Sequence, residues 1–213
     1  EWQRRLNTKS LEDTILKLQK IRTSDNGVFA IKVHYQQVKQ FGSFDHLLKF
    51  FPKAYFILLS RKDVLRQAIS LTIANQTDAW IGPQKPRSKD VTYSTSQIQK
   101  NLKSLILDTA SWRYILANNN CNFIELDFDQ IKQELPNTTK KIALFMEIDI
   151  TNLQLPMKPT TQNQSTSINS EWATLFFKER LDDELHAINK STIFEKLKMK
   201  ISKLFHSMRS SSI

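Results

Sequence analysis

The stretch Leu59-Ser60-Arg61-Lys62-Asp63-Val64-Leu65-Arg66-Gln67-Ala68-Ile69-Ser70 sets two cations where an apolar run gives way to a helical pattern. Such a junction suits a phosphate. The first N–H groups of a helix lack intrahelical partners, the dipole's positive end points outward, and an Arg fork can hold two phosphate oxygens. Arg61 and Lys62 are the candidate cations, and Ser70, about two helical turns on, adds a hydroxyl donor if its face turns toward the ligand. The same residues also fit a solvated helix start and an ordinary helical serine. Lys32 and His34 stand two apart at the end of a predicted strand and so project to one side. Such a pair could supply a base for an attacking hydroxyl and a cation for charge developing on a bridging oxygen. The other reading of His34 is an exposed histidine that hydrogen-bonds a neighbour. Trp80, beside a polar loop, is a candidate sugar-stacking surface, whereas Trp112 on an apolar helical face reads as core.

The elements that must position these residues alternate. Ser10 and Asp13 open a helix with Leu11, Ile15, Leu18 and Ile21 on one face, ended by Asn26-Gly27. Val28 to His34 is predicted as a strand. A short helix follows Ser43 and stops at Pro52. The unbroken apolar run Ala54 to Leu59 predicts a central parallel strand buried on both faces. Asp63 falls in the first turn of the next helix, where a negative charge is favoured, and that helix runs to about Gln76. Residues 81–94, with Gly82-Pro83 and Pro86, read as a surface or lid loop. A long amphipathic helix carries Ile98, Leu102, Leu105, Ile106, Thr109, Trp112 and Leu116, and Phe123 to Leu126 is a third strand. A short helix runs from Phe128 until Pro136, and Asn137 caps another to about Glu147. Thr151 to Asn169 is polar and reads as a loop or strap. Strands alternating with helices predict an α/β three-layer sandwich with a mostly parallel sheet, ligands lying beyond the C-terminal strand ends.

The 213 residues, 40% of them apolar, allow one sizeable core, here residues 1–180, followed by a basic helical tail at 181–213. No run is long and apolar enough to predict a membrane helix. The single Cys121 excludes an internal disulfide framework, the four histidines lack metal-ligand spacing, and no metal is expected; the reducing cytoplasm is the expected location. A net charge of +10 calls for an anionic partner. The cations are mixed with Asp and Glu rather than gathered in one stripe, which speaks against nucleic acid. In the tail, Lys190, Lys196, Lys198, Lys200 and Lys203 alternate with Ile, Leu and Met, a pattern that could lie peripherally on an anionic membrane or pack on its own domain.

Arg61-x-Asp63 followed by Gln67-Ala68-Ile69-Ser70, Ala74, Thr77 and Trp80 resembles the "R-x-D…QA-x-S…A…T…W" signature of the bacterial carbohydrate sulfotransferases that include the trehalose and nodulation-factor enzymes. Gln164-x-x-x-Ile168-Asn169-x-Glu171-Trp172 with Phe176 is similar to a late segment of that family. Gly27 to Lys32 and Phe123 to Asp127 are similar to two of its strands. The resemblance implies a P-loop-type sulfotransferase fold and transfer of a sulfuryl group from 3′-phosphoadenosine-5′-phosphosulfate to a carbohydrate hydroxyl. It further implies that Arg61 and Ser70 hold the 3′-phosphate, with Lys62 an alternative to Arg61 because it stands eight residues before Ser70, the spacing in cytosolic sulfotransferases. Lys32 and His34 are similar to the Lys-Thr-His of the cytosolic enzymes, and Gln164 and Trp80 fall where the acceptor sugar would bind. The Gly/Ser/Thr-rich phosphosulfate loop has no counterpart, since Gly27, Gly42 and Gly82 never cluster. The expectation is therefore that the first strand and its loop precede Glu1 and that residues 1–213 alone do not catalyse transfer. The alternative is a non-catalytic nucleotide- or glycan-binding protein of the same fold.

Overall fold

The computed structural model describes residues 2–80, 84, 87, 88, 90–151, 155–157 and 167–179. Its elements in chain order are α1 (Trp2–Leu6), α2 (Leu11–Arg22), a 3-10 turn (Tyr35–Phe41), α3 (Phe44–Phe50), β1 (Phe56–Ser60), α4 (Val64–Thr77), α5 (Thr95–Asn118), β2 (Phe123–Asp127), α6 (Phe128–Gln133), α7 (Leu135–Phe145) and α8 (Ser167–Glu179). Side-chain caps set most of the helix starts. Ser10 Oγ accepts from the Asp13 N–H at 3.0 Å, Ser43 Oγ from His46 N–H at 3.1 Å, and Asp63 Oδ1 from Arg66 N–H at 2.9 Å. Asp78, in the left-handed region at φ 55°, closes α4. Gln164, the tail at 181–213 and much of the expected lid and strap lie outside the described residues.

β1 and β2 pair in parallel, with Phe56 opposite Phe123 and Ser60 opposite Asp127. Two parallel strands need a long crossover, which α4 and α5 supply. The register matters for function: both strands end at the same level, so the residues that follow them emerge side by side.

Two apolar clusters hold these elements. Ala68 and Ile69 of α4, Ile98 of α5, and Trp172, Ala173 and Phe176 of α8 form one. Val38, Phe44, Leu47 and Leu116 form the other, with Trp112 and Phe123 against it. Trp112, expected in the core, is partly buried and packs against this cluster, meeting Tyr35 edge-on at 5.7 Å and Phe44 at 6.3 Å. Among the described residues no helix is long and apolar enough to cross a membrane.

The structure corrects two expectations about the strands, and one about the helices: α6 ends at Gln133, and Pro136 does not stop it but sits in the first turn of α7, whose N-cap is Glu134 rather than Asn137. Residues 28–34 pair with no strand among the described residues, so the expected strand Val28 to His34 does not form. Their apolar–polar alternation is satisfied by side-chain packing instead: Phe29 stacks on Phe51 at 6.2 Å, and Val33 packs beside Val38 and Leu116. Gly27, at φ 80°, turns the chain into this segment, which few other residues could do without strain. Secondly, the run Ala54 to Leu59 is not buried on both faces. Leu58 is 9% exposed but Leu59 54%, the alternation of a strand covered on one face only. Among the described residues the architecture is mixed helix and strand around a small, two-stranded parallel sheet.

Candidate functional site

Arg61 follows β1, and Phe128 follows β2 directly across the ladder. The shared strand ends bring the Arg61 guanidinium over the Phe128 ring, 4.3 Å from its centroid. Lys132, one helical turn along α6, places its ammonium 4.4 Å from the same ring and 3.2 Å from Asp129 Oδ1. Three cations, Arg61, Lys62 and Lys132, therefore gather at the C-terminal edge of the sheet, where α/β folds bind ligands.

Asp127, like Asp129, brings negative charge to this group. Its Oδ1 caps α6, accepting from the main-chain N–H groups of Asp129 at 3.1 Å and Gln130 at 3.0 Å. Oδ2 is shielded from solvent and has no partner of good hydrogen-bond geometry, though the Lys62 main-chain N–H lies near enough to favour the carboxylate. The Gln130 N–H above all, then that of Asp129 and the nearby Lys62 charge, hold the Asp127 carboxyl below its ordinary value against the opposing effect of desolvation. Asp127 thus stays ionised and balances part of the positive charge beside it. A cavity of about 120 Å³ opens next to it, lined by Gln130, Glu134, Asn137, Thr138 and Lys141 among others.

The tip of α4 is less open than the sequence implies. Asp63 takes the Arg66 N–H, and the Val64 N–H donates to the Lys62 carbonyl at 3.0 Å. An anion at this edge would be held mainly by side-chain cations rather than by free helix N–H groups. Ser70 lies about 9 Å along the α4 axis from Val64, six residues at about 1.5 Å each. No hydrogen bond joins it to Arg61 or Lys62 in the described structure, so one phosphate could meet all three only by lying along the flank of α4.

On that flank Ser70 and Arg66, one turn apart, both face α8. Asn169 Nδ2 donates to Ser70 Oγ at 3.0 Å, and Arg66 Nη1 reaches Ser170 Oγ at 3.5 Å while its Nε pairs with Asp63 at 3.3 Å. Phe128, Asp127, Arg66 and Asn169 were not singled out as site residues from the sequence. A signal existed for two of them: Asp127 with Gln130 has capping-box spacing, and Asn169 lies within the late segment similar to the sulfotransferases.

Lys32 and His34 are both exposed, in a segment that joins no strand among the described residues, so the strand alternation that was to set them on one side is missing. His34 also has a local role, its N–H donating to Gln37 Oε1 at 2.8 Å to start the 3-10 turn. Gln36 fastens that turn to α5 through Ser104 and Asp108, each at 3.2 Å. No hydrogen bond or ion pair among the described residues links Lys32 or His34 to the cation cluster. Trp80 is 51% exposed, and its indole N–H is pinned to Asp78 Oδ1 at 3.1 Å, whose Oδ2 pairs with Arg87 at 3.0 Å. A fixed, open aromatic face suits stacking against a sugar ring. The described part of the neighbouring loop is strapped down: Gln76 Oε1 and Nε2 bond the Thr92 N–H and carbonyl at 2.8 and 2.9 Å.

No curated protein matches the chain at a significant level. A family model, Stf0 sulphotransferase, matches residues 11–179, which takes in β1, the cation cluster, α4, β2 and α8. With that match covering well over half of its length, the chain belongs to the Stf0 sulphotransferase family.

Proposed function

We propose that the protein moves a sulfuryl group from 3′-phosphoadenosine-5′-phosphosulfate to a carbohydrate hydroxyl, and that Arg61, Lys62 and Ser70 bind the donor's 3′-phosphate. The observation that carries this reading is the common end of β1 and β2, which sets Arg61 against Phe128 in a cluster of three cations at the sheet edge. In a chain of this family, such an anion site fits the nucleotide phosphate. The two parallel strands and their crossover are read as part of the three-layer, P-loop-type sulfotransferase sandwich.

Transfer is an in-line displacement. The acceptor hydroxyl oxygen bonds to sulfur while the bond from sulfur to the 5′-phosphate oxygen breaks, and adenosine 3′,5′-bisphosphate leaves with the electron pair. The hydroxyl proton must go to a base, for which His34 is our choice, and Lys32 would meet charge on the departing bridging oxygen. Trp80 would stack on the acceptor ring. Gln164, outside the described residues, is a further acceptor contact on resemblance alone. The 3′-phosphate lies far from the reacting bond, so its site supplies binding energy rather than chemistry.

Calorimetry with adenosine 3′,5′-bisphosphate and adenosine 5′-monophosphate tests this. The bisphosphate should bind more tightly, and Arg61→Ala should weaken it by about 1.5–3 kcal/mol, roughly ten- to a hundredfold, with the monophosphate unchanged. Loss in Lys62→Ala instead would shift the site by one residue. Equal affinity of the wild type for both nucleotides would overturn the reading.

A further inference from the structure

Serine and threonine within a helix usually spend their single hydroxyl hydrogen on the carbonyl four residues back. Helix α4 does this twice, Thr72 Oγ1 donating to the Ala68 carbonyl at 2.8 Å and Thr77 Oγ1 to that of Ile73 at 2.9 Å. Ser70 does not. Its oxygen accepts a hydrogen bond from Asn169 Nδ2 at 3.0 Å and donates none among the described residues. Asn169 is 4% exposed in the first turn of α8, ninety-nine residues further along the chain, and its neighbours Trp172 and Phe176 anchor that helix in the core. A buried amide is therefore held rigidly with a donor aimed at one lone pair of a partly exposed hydroxyl.

A hydroxyl has one hydrogen and two lone pairs. With one lone pair filled by Asn169 and no carbonyl among the described residues claiming the hydrogen, the O–H of the half-buried Ser70 is left to another acceptor. We infer that Asn169 is a positioning residue that makes Ser70 a dedicated hydrogen-bond donor to an anion. Resting on the reading above, that anion is the 3′-phosphate of the sulfuryl donor. Thr72 provides the contrast within the same helix: Asn101 Nδ2 donates to it at 2.8 Å in the same way, but Thr72 is 1% exposed and its hydrogen is already committed.

The sign of the effect makes the inference testable. Asn169→Asp replaces a donor by an acceptor of nearly the same shape. The carboxylate would draw the Ser70 hydrogen to itself, turn lone pairs toward the phosphate and add a like charge beside it. Calorimetry with adenosine 3′,5′-bisphosphate should show about three- to tenfold weaker binding in Asn169→Ala, the range for one lost hydrogen bond, and a larger loss in Asn169→Asp. Adenosine 5′-monophosphate, which has no 3′-phosphate, should bind all variants as it binds the wild type. In a Ser70→Ala background neither Asn169 substitution should weaken the bisphosphate further.

Full bisphosphate affinity in both Asn169 variants, with a loss in Ser70→Ala, would overturn the positioning role while leaving the phosphate site intact. A wild type that does not distinguish the two nucleotides would instead sink the functional reading. A variant that lost monophosphate binding too would be misfolded. The wild-type complex with the bisphosphate then decides: Ser70 Oγ should lie within hydrogen-bond distance of both Asn169 Nδ2 and a phosphate oxygen. Ser70 turned back onto the Arg66 carbonyl would refute the inference.

Discussion

Phe128 is not charged and has no polar group, yet it should matter for anion binding. Its ring carries the Arg61 guanidinium at 4.3 Å and the Lys132 ammonium at 4.4 Å. Both the ring and Arg61 are partly exposed, so this cation–π contact is worth about 0.5–1 kcal/mol rather than the larger value of a desolvated pair. Phe128→Leu removes the aromatic face and keeps much of the apolar bulk. The guanidinium then loses its platform and must be ordered by the ligand itself. The expected result is a two- to fivefold rise in Kd for adenosine 3′,5′-bisphosphate, about 0.5–1 kcal/mol converted at roughly 1.4 kcal/mol per decade. Titration calorimetry resolves a change of that size. Phe128→Tyr, which retains the face, should bind like the wild type. In an Arg61→Ala background Phe128→Leu should cost less, because the shared contact is already gone. Unchanged affinity in Phe128→Leu alongside a clear loss in Arg61→Ala would refute the claim that the ring positions the guanidinium. Equal losses for the bisphosphate and adenosine 5′-monophosphate would point to a damaged fold instead.

Two further outcomes concern stability. The Asp127 carboxyl has a lowered folded-state pKa, so it favours folding above its ordinary value of 3.8, and that contribution is lost as pH falls through the folded value. Asp127→Asn keeps an acceptor for the α6 cap without the charge and should flatten the acid limb of a melting-temperature profile, while Asp127→Ala, which loses the cap as well, should lower the melting temperature at neutral pH too. Trp172 is 5% exposed and meets Tyr93 edge-on at 5.6 Å, joining α8 to the α4–α5 cluster. Trp172→Ala should destabilise by about 3–5 kcal/mol, seen as a lower denaturant midpoint with little change in slope.

The helices were legible in the sequence because their signals are local. Ser10 and Ser43 each cap the helix they were expected to open, Asp63 caps α4 one place before the first turn in which it was expected, and the periodic apolar residues of α5 run through Leu116 as expected. The segment 28–34 failed because a strand is not a local object: its alternation of Lys32, Val33, His34 and Tyr35 fits an extended chain lying on aromatic side chains as well as one in a ladder. Ala54 to Leu59 misled for a related reason, since an apolar run states what could be buried and not how many faces find cover. At the site, the sequence pointed to Arg61, Lys62 and Ser70 by type and spacing. It could not pair Arg61 with Phe128 or Ser70 with Asn169, because the first depends on the β1–β2 register and the second on packing between α4 and α8, residues 99 apart.

The most direct test of the account is the position of the nucleotide in a crystal structure of the protein bound to adenosine 3′,5′-bisphosphate. The account places the 3′-phosphate against the flank of α4, within hydrogen-bond distance of Ser70 Oγ and of the Arg61 or Lys62 side chain. A 3′-phosphate seated away from β1 and α4, touching neither Arg61 nor Lys62, would contradict it.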